Sequence, residues 1–417
     1  MRGLSGMVDN LWPLPDGWEW KKISDIATTT SGGTPSRKNS EYFTGHINWF
    51  KSGELGDSEI FNSEEKITEE AIKKSSAKIF PKDTLLIAMY GATVGKLGIL
   101  GIDAATNQAV CAIFPKKNLG IKIVEEKFLF YFFKFIRSQL IERSFGGAQP
   151  NISQTIINNV TIPIPYPNNP KLSLDIQQRI VARIESLLGE IKHNRSLLEQ
   201  MRQDTEQLLD SAIKECFALS RMETWKNHSC LGEIAKIIAK QVDPTLPQYQ
   251  TLPHIGVDVI QANTCQLEDY RTIEEDGVTS GKYLFTSGSI LYSKIRPYLR
   301  KSVLVDFEGL CSADIYPLSV ISDEIEPKFL MWFLISPLFT DYAKSHSGRA
   351  RIPKINRDAL FSFKLVYPNY EEQISIISYL DLIRFEVQKI DKLLKEDEKN
   401  FNYLEQAILE KAFRGEL

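Results

Sequence analysis

Ile180, Ile184, Leu187, Ile191, Asn194, Leu198, Met201, Thr205, Leu208 and Ala212 step along the chain by fours and threes. Ile376, Leu380, Ile383, Val387, Ile390, Leu394, Asp397, Phe401, Leu404 and Ile408 repeat the same steps. Every member of the second series is the first displaced by one constant interval, from Ile180 to Ile376 at one end and Ala212 to Ile408 at the other. An apolar seam recurring every ~3.5 residues over such a length predicts coiled-coil helices rather than the face of an ordinary globular helix, each about 60 Å long. One helix joins two halves of the chain and the other follows the second half, so antiparallel packing is expected, holding two modules apart as a dumbbell with pseudo-two-fold symmetry. Asn194, Thr205 and Asp397 interrupt the seam. They are either local imperfections or buried polar groups that fix register.

Outside the helices the chain also repeats itself. Trp20-Lys21 and Trp225-Lys226 open the halves, Phe80–Ile87 is matched by Phe285–Tyr292, and Glu125–Leu129 by Glu326–Leu330. Each half alternates short apolar runs with Gly, Pro, Ser and Asn. Thr84–Met89 and Ala109–Phe114 read as strands, and Glu125–Ile141 as one amphipathic helix. The expected architecture is α+β: two mixed α/β modules over residues 1–170 and 223–370, each followed by a spacer helix, over 171–222 and 371–417. Duplication on this scale suits a partner that is itself bipartite.

A chain of 417 residues is too long for one core. Its 43% hydrophobic and 25% charged residues are those of a soluble globular protein. A net charge of −3 means that any basic footprint must be local. The five cysteines lack metal or disulfide spacing, which points to a reducing cytoplasm. Phe128–Ile136, the greasiest stretch, carries Lys134 and is too short to span a bilayer. No membrane association is expected.

No catalytic constellation stands out. Gly91–Leu97 resembles a phosphate loop but has three residues between its glycines and Leu97 where a hydroxyl must meet Mg²⁺, so it reads as a glycine turn presenting Lys96. Glu64-Glu65-Lys66 after Asp57 is a solvated charge run, unrepeated in the second half. The histidines are isolated, and nothing resembles a base-flipping methylation motif or a nucleotide fingerprint. The expectation is a non-enzymatic chain holding no cofactor.

Binding surface is easier to find. Gly277–Val305 contains no acid but carries Lys282, Lys294, Arg296, Arg300 and Lys301 among Tyr283, Tyr292 and Tyr298. Tyr342–Arg357 is again acid-free, with Lys344, Arg349, Arg351, Lys354 and Arg357. Such loops suit contacts to phosphate and base edges; as solvated loops they would instead be balanced by Asp306 and Asp341. In the first module Arg143–Leu174 is acid-free but amide-rich, including Gln149, Asn151, Gln154, Asn158 and Asn159, with Asn107-Gln108 elsewhere. Amides can pair with adenine edges, or simply satisfy their own turns.

Taken together, Leu14–Trp18, Ser31-Gly32-Gly33-Thr34-Pro35-Ser36, Lys51–Leu55, Gly95–Gly98, Thr106-Asn107-Gln108, Gly146–Ile152 and Lys411–Leu417 resemble the specificity subunit of type I restriction–modification systems. The second module departs, with Ser347-Gly348-Arg349-Ala350-Arg351 where the first has Gly147-Ala148-Gln149-Pro150 and its neighbours. The first spacer has Ile176-Gln177 where the second has Glu372-Gln373. The resemblance implies two target-recognition domains, each reading half of a split target in duplex DNA, with the helices as a ruler for the gap. It also implies two methyltransferase subunits docked on the helices, joined by translocase/nuclease subunits. S-adenosylmethionine, ATP and Mg²⁺ would belong to those partners, whose assembly would be a site-specific deoxyribonuclease and adenine-specific methyltransferase. The candidate DNA contacts are then Thr34, Arg37, Lys51, Lys96, Asn107, Gln149 and Asn151 in the first module. In the second they are Lys282, Tyr283, Lys294, Arg296, Tyr298, Arg300, Lys301, Arg349, Arg351, Lys354 and Arg357, with Arg349 and Arg351 the leading base readers. A subunit serving only a methyltransferase, and a coiled-coil scaffold for other proteins, are the competing readings.

Overall fold

The computed structural model describes residues 12–143, 151–238, 240–348 and 351–417. Two long helices dominate it, Pro170–Cys216 and Tyr370–Arg414, of 47 and 45 residues. Tertiary contacts divide the chain in a way its linear order hides. One unit runs up to Ser196 and takes in Glu398–Leu417; the other is Leu197–Asp397. Each unit therefore holds one mixed α/β domain, the first half of the helix that follows it and the closing half of the other long helix.

In the first unit a five-stranded sheet runs in the order Ala27–Ser31, Val110–Pro115, Leu85–Ala88, Leu97–Leu100, Ser58–Ile60. A four-stranded sheet runs Glu65–Ile67, Ile47–Phe50, Ala104–Thr106, Ile79–Phe80, its middle pair parallel. The second unit repeats this plan: Ala235–Lys236, Ile315–Val320, Ile290–Ser293, Ser302–Leu304 form one sheet, and Pro253–Ile255 again pairs in parallel with Gly309–Cys311. Leu85–Ala88 is buried at every position, as a continuous apolar run in a doubly covered strand must be. The expected helix over 125–141 is two, Glu126–Phe135 and Arg137–Arg143, broken at Ile136. The first of them still buries Phe128, Leu129, Phe130, Phe132 and Phe133.

The repeat extends to single contacts. Phe413, at the end of the second long helix, lies with its ring 5.1 Å from Phe128 and 5.0 Å from Phe132. Phe217, the residue just past the end of the first helix, lies 5.7 Å from Phe329 and 5.5 Å from Phe333. Each domain thus buries a phenylalanine from the helix of the other repeat, each worth about 1.5–3 kcal/mol in apolar burial. Antiparallel pairing is explicit in the first unit. Ile180, Val181 and Ile184 share a core with Leu409, Ala412 and Phe413, while Arg195, further along, bonds Asn402 and pairs with Glu405 and Glu398.

The seam itself departs from a regular heptad. In the second unit the first helix buries Leu209, Ala212, Ile213 and Cys216, whereas Met201 and Leu208 are exposed. Spacing of three, one and three is the face of an ordinary globular helix, and it packs on Trp225, Phe329 and Phe333. Asn194 and Asp397 are exposed, and Thr205 donates to the Met201 carbonyl, so none of the three is a buried register pin. Among the described residues no helix is long and apolar enough to cross a membrane.

Candidate nucleic-acid interface

The two acid-free stretches of the second half meet in space. Arg296 N–H donates to the Pro353 carbonyl at 2.8 Å, and Ile355 N–H to the Lys294 carbonyl at 3.0 Å. This short ladder brings Lys294, Arg296, Arg351, Lys354 and Arg357 to one edge of the domain. Tyr316 anchors the group: Lys294 Nζ lies 5.4 Å and the Arg357 guanidinium 5.9 Å from its ring centroid, and its hydroxyl donates to Ile355 O. Burial pushes the Tyr316 pKa up, so it serves as a neutral ring between two cations. Arg357 also bonds the Tyr283 hydroxyl at 2.9 Å, and Lys294 Nζ caps the Ala313 carbonyl. Arg296, Tyr298, Arg351 and Lys354 are exposed, and no side-chain partner is recorded for any of them among the described residues.

Other candidates of the second half are committed elsewhere. Arg300 pairs with Asp210 of the long helix and donates to the Ile335 carbonyl. Lys282 is only 6% exposed and, among the described residues, its ammonium bonds Ser280 alone, at 2.9 and 2.7 Å; burial pulls its pKa down. Lys301 bonds the Val257 carbonyl, and Lys344 pairs with Asp341, so that part of the basic stretch is balanced. Arg349 lies outside the described residues.

In the first unit the equivalent edge exists without the charge. Ile152 N–H donates to the Met89 carbonyl at 2.7 Å, and Tyr90 bridges to Asn151. Here the exposed groups are Tyr90 and Asn151. Gln149 lies outside the described residues. The cations named for this module are paired with acids instead. Arg37 forks onto Glu65 at 2.5 and 3.1 Å over the rings of Phe43 and Trp49, which with Lys51 holds the Glu65 carboxyl below its ordinary range. Lys51 meets Glu64 at 2.8 Å and Glu65 at 3.2 Å, and those bonds raise its pKa. Lys96 reaches Asp57 at 3.3 Å, beside Arg137 at 2.9 Å. Thr34 bonds Gln108, and the Asn107 side chain caps Ala109 N–H. Asn151 is thus exposed at this edge, whereas Asn107 is a turn former.

In sequence, Gln177 and Gln373 stand only as part of a helix-start motif. Both are wholly buried. Gln177 accepts from Glu125 N–H and donates to Ile123 O; Gln373 accepts from Glu326 N–H and donates to Glu324 O. Each locks a long helix onto the cap of its domain's apolar helix. Their identical position in both seams was the available signal. Among the described residues no cluster of three or more His, Cys, Asp or Glu could hold a metal ion.

A twofold α/β domain whose homologous edges carry different chemistry is the architecture of a recognition protein, and similarity identifies which kind. The family model for the type I restriction modification DNA specificity domain matches residues 15–201 and again 222–397, so this chain belongs to that family and carries its domain twice. The specificity subunit of the type I restriction enzyme EcoDI from Escherichia coli is 28% identical over 322 residues, covering 71% of each chain. A chain from a structural study of complex assembly and conformational transition in the type I R-M system superimposes with a TM-score of 0.74 at 22% identity, covering 98% of this chain and 100% of that one. The HsdS subunit from Thermoanaerobacter tengcongensis gives 0.61 at 22% identity, over 97% and 99%. At those identities the two structures establish a shared fold.

Proposed function

We propose that this chain, as a specificity subunit, reads a bipartite target in duplex DNA, one half-site per unit, and that its long helices set the gap between them. The observation that carries the proposal is the convergence of Lys294–Arg296 with Arg351–Arg357 on one edge, repeated in neutral form at Met89-Tyr90 with Asn151-Ile152. Cations at such an edge neutralise phosphates, and guanidinium and amide groups read guanine and adenine edges. Exposed apolar side chains on the long helices, including Tyr379, Leu382, Phe385 and Leu393, support docking of two methyltransferase subunits there. Translocase/nuclease subunits would complete the assembly in the cytoplasm. S-adenosylmethionine, ATP and Mg²⁺ would then be held by the partners, and site-specific cleavage and adenine methylation would be activities of the complex alone.

The test is methylation by the reconstituted subunit–methyltransferase complex on a randomised duplex library. Two fixed half-sites at one spacing are expected. A single contiguous motif, or none, overturns the bipartite reading, and methyl transfer by the isolated chain overturns the non-catalytic one.

A further inference from the structure

The turns that carry the two recognition edges are aligned residue for residue. Ala88 N–H bonds Lys96 O in the first unit, and Ser293 N–H bonds Lys301 O in the second, at 2.9 and 3.0 Å. Counting from the strand ends Ala88 and Ser293, Gly91 corresponds to Arg296 and Gly95 to Arg300. All four residues sit in the left-handed region, with φ of +91° and +78° for the glycines and +46° and +50° for the arginines. Glycine takes that conformation freely, whereas any other L-residue is strained there. The second unit has therefore placed an arginine at both positions that the first fills with glycine.

For Arg300 the compensation is visible in its bonds to Asp210 and Ile335. For the Arg296 side chain the described residues offer none. Its side chain is exposed and unpartnered among the described residues, and Pro297 behind it further disfavours the right-handed alternative. Pro297 itself is buried and starts the short helix Pro297–Leu299, while Arg296 N–H is fixed to Pro353 O. The result is a guanidinium on a rigid, strained tip, flanked by Tyr298 and by the cations Lys294, Lys354 and Arg357. Backbone strain held by the bonds to Pro353 and Leu299, carrying a side chain with no partner among the described residues, marks a residue kept for an external ligand.

We infer that Arg296 is the base-reading arginine of the second unit, its planar fork donating two hydrogen bonds to the O6 and N7 of a guanine in the half-site. Lys354 and Arg357 would grip the flanking phosphates, while Lys294 is turned to the Ala313 carbonyl and Asp314. This rests on the reading of the second unit as a DNA half-site reader and changes its emphasis from Arg349 and Arg351 to Arg296.

The test uses the complex with its methyltransferase subunits, carrying Arg296→Gly or Arg296→Lys, scored on the randomised library beside wild type. Arg296→Gly restores the residue that the first unit uses, so its melting temperature should match or exceed that of wild type. It should lose about tenfold or more of the preference at one guanine–cytosine pair in one half-site, with the other half-site and the gap unchanged. Arg296→Lys should keep affinity for random duplex and relax the same pair, because lysine keeps the charge but not the fork. Unchanged preference in both variants overturns the inference. So does an even loss of affinity at all sequences with a salt slope lower by about one unit, the signature of a phosphate contact. Failure of wild type to show two half-sites would instead overturn the underlying bipartite reading, so the two failures are distinguishable.

Discussion

The turn from Ala88 to Leu97 and the turn from Ser293 to Ser302 have the same length, the same closing bond and the same left-handed positions, yet arginine enters them from opposite sides. In the first unit the turn offers Gly95, whose carbonyl accepts from Arg137 at 2.9 Å, and that arginine goes on to pair with Asp57. In the second unit the turn itself supplies Arg300, which reaches outward to the Ile335 carbonyl and to Asp210. A Cβ at Gly95 would come within 3.2 Å of Arg137 Cγ, so a side chain there would crowd the arginine that pins this turn. The comparison teaches that the duplicated backbone is a fixed frame and that the polar pinning of each turn is free to be reinvented. A recognition protein needs that separation, because its edge chemistry can change without disturbing the frame.

The largest effect that would test this contrast is at the second turn. Replacing Arg300 with alanine leaves Asp210 with Lys214 alone, at 2.6 Å, and should destabilise the second unit by about 3 kcal/mol, while the sequence preference survives. Amide hydrogen exchange resolved along the chain would show faster opening confined to residues 197–397. Equal loosening of both units would mean that Arg300 does not pin its own turn.

Asp57 is the counterpart in the first unit. Burial pushes its carboxyl pKa up, but the Arg137 hydrogen bond, the Leu97 N–H and the charges of Arg137 and Lys96 outweigh that and hold it below the ordinary 3.8. A carboxyl whose folded pKa lies below its unfolded value contributes stability that is present above the unfolded value and lost as pH falls through the folded one. Asp57→Asn should therefore cost about 2 kcal/mol at neutral pH, with the gap to wild type closing as pH drops below 3.8. Thermal melts at stepped pH would read this directly, and a gap that persists into acid would assign the loss to packing instead of charge.

The smallest effect belongs to Lys282, which shares an acid-free stretch with Arg296 but not its exposure. Lys282→Met removes a buried ammonium satisfied only by Ser280 and should leave stability within about 1 kcal/mol of wild type, or raise it. The salt slope for random duplex binding should not move. A fall of about one unit would return Lys282 to the phosphate-binding set.

The duplication, the two long helices, the α+β class and the basic character of the second edge were legible in the chain, because each is a matter of periodicity and local composition. Gln177 and Gln373 stood at matching positions but looked like helix-start polar residues until burial showed what they bond. Lys282, Arg300 and Lys301 looked like Arg296 in sequence, since an acid-free stretch does not say which cations turn inward. Met201 and Leu208 keep the heptad spacing of the seam in sequence. Only packing of Leu209, Ala212 and Ile213 on the second domain rotates the buried face away from them.

Sequence alone determined that there are two copies of one module and two matched helices, because repetition and apolar spacing are written in one dimension. Tertiary structure alone decided that each unit borrows the end of the other repeat's helix. It also decided that two distant acid-free stretches form one edge, and that an arginine stands where the first unit needs glycine. Those facts depend on which residues meet across hundreds of positions and on backbone dihedral angles. Chain order specifies neither until the cores around Phe413 and Phe217 have closed.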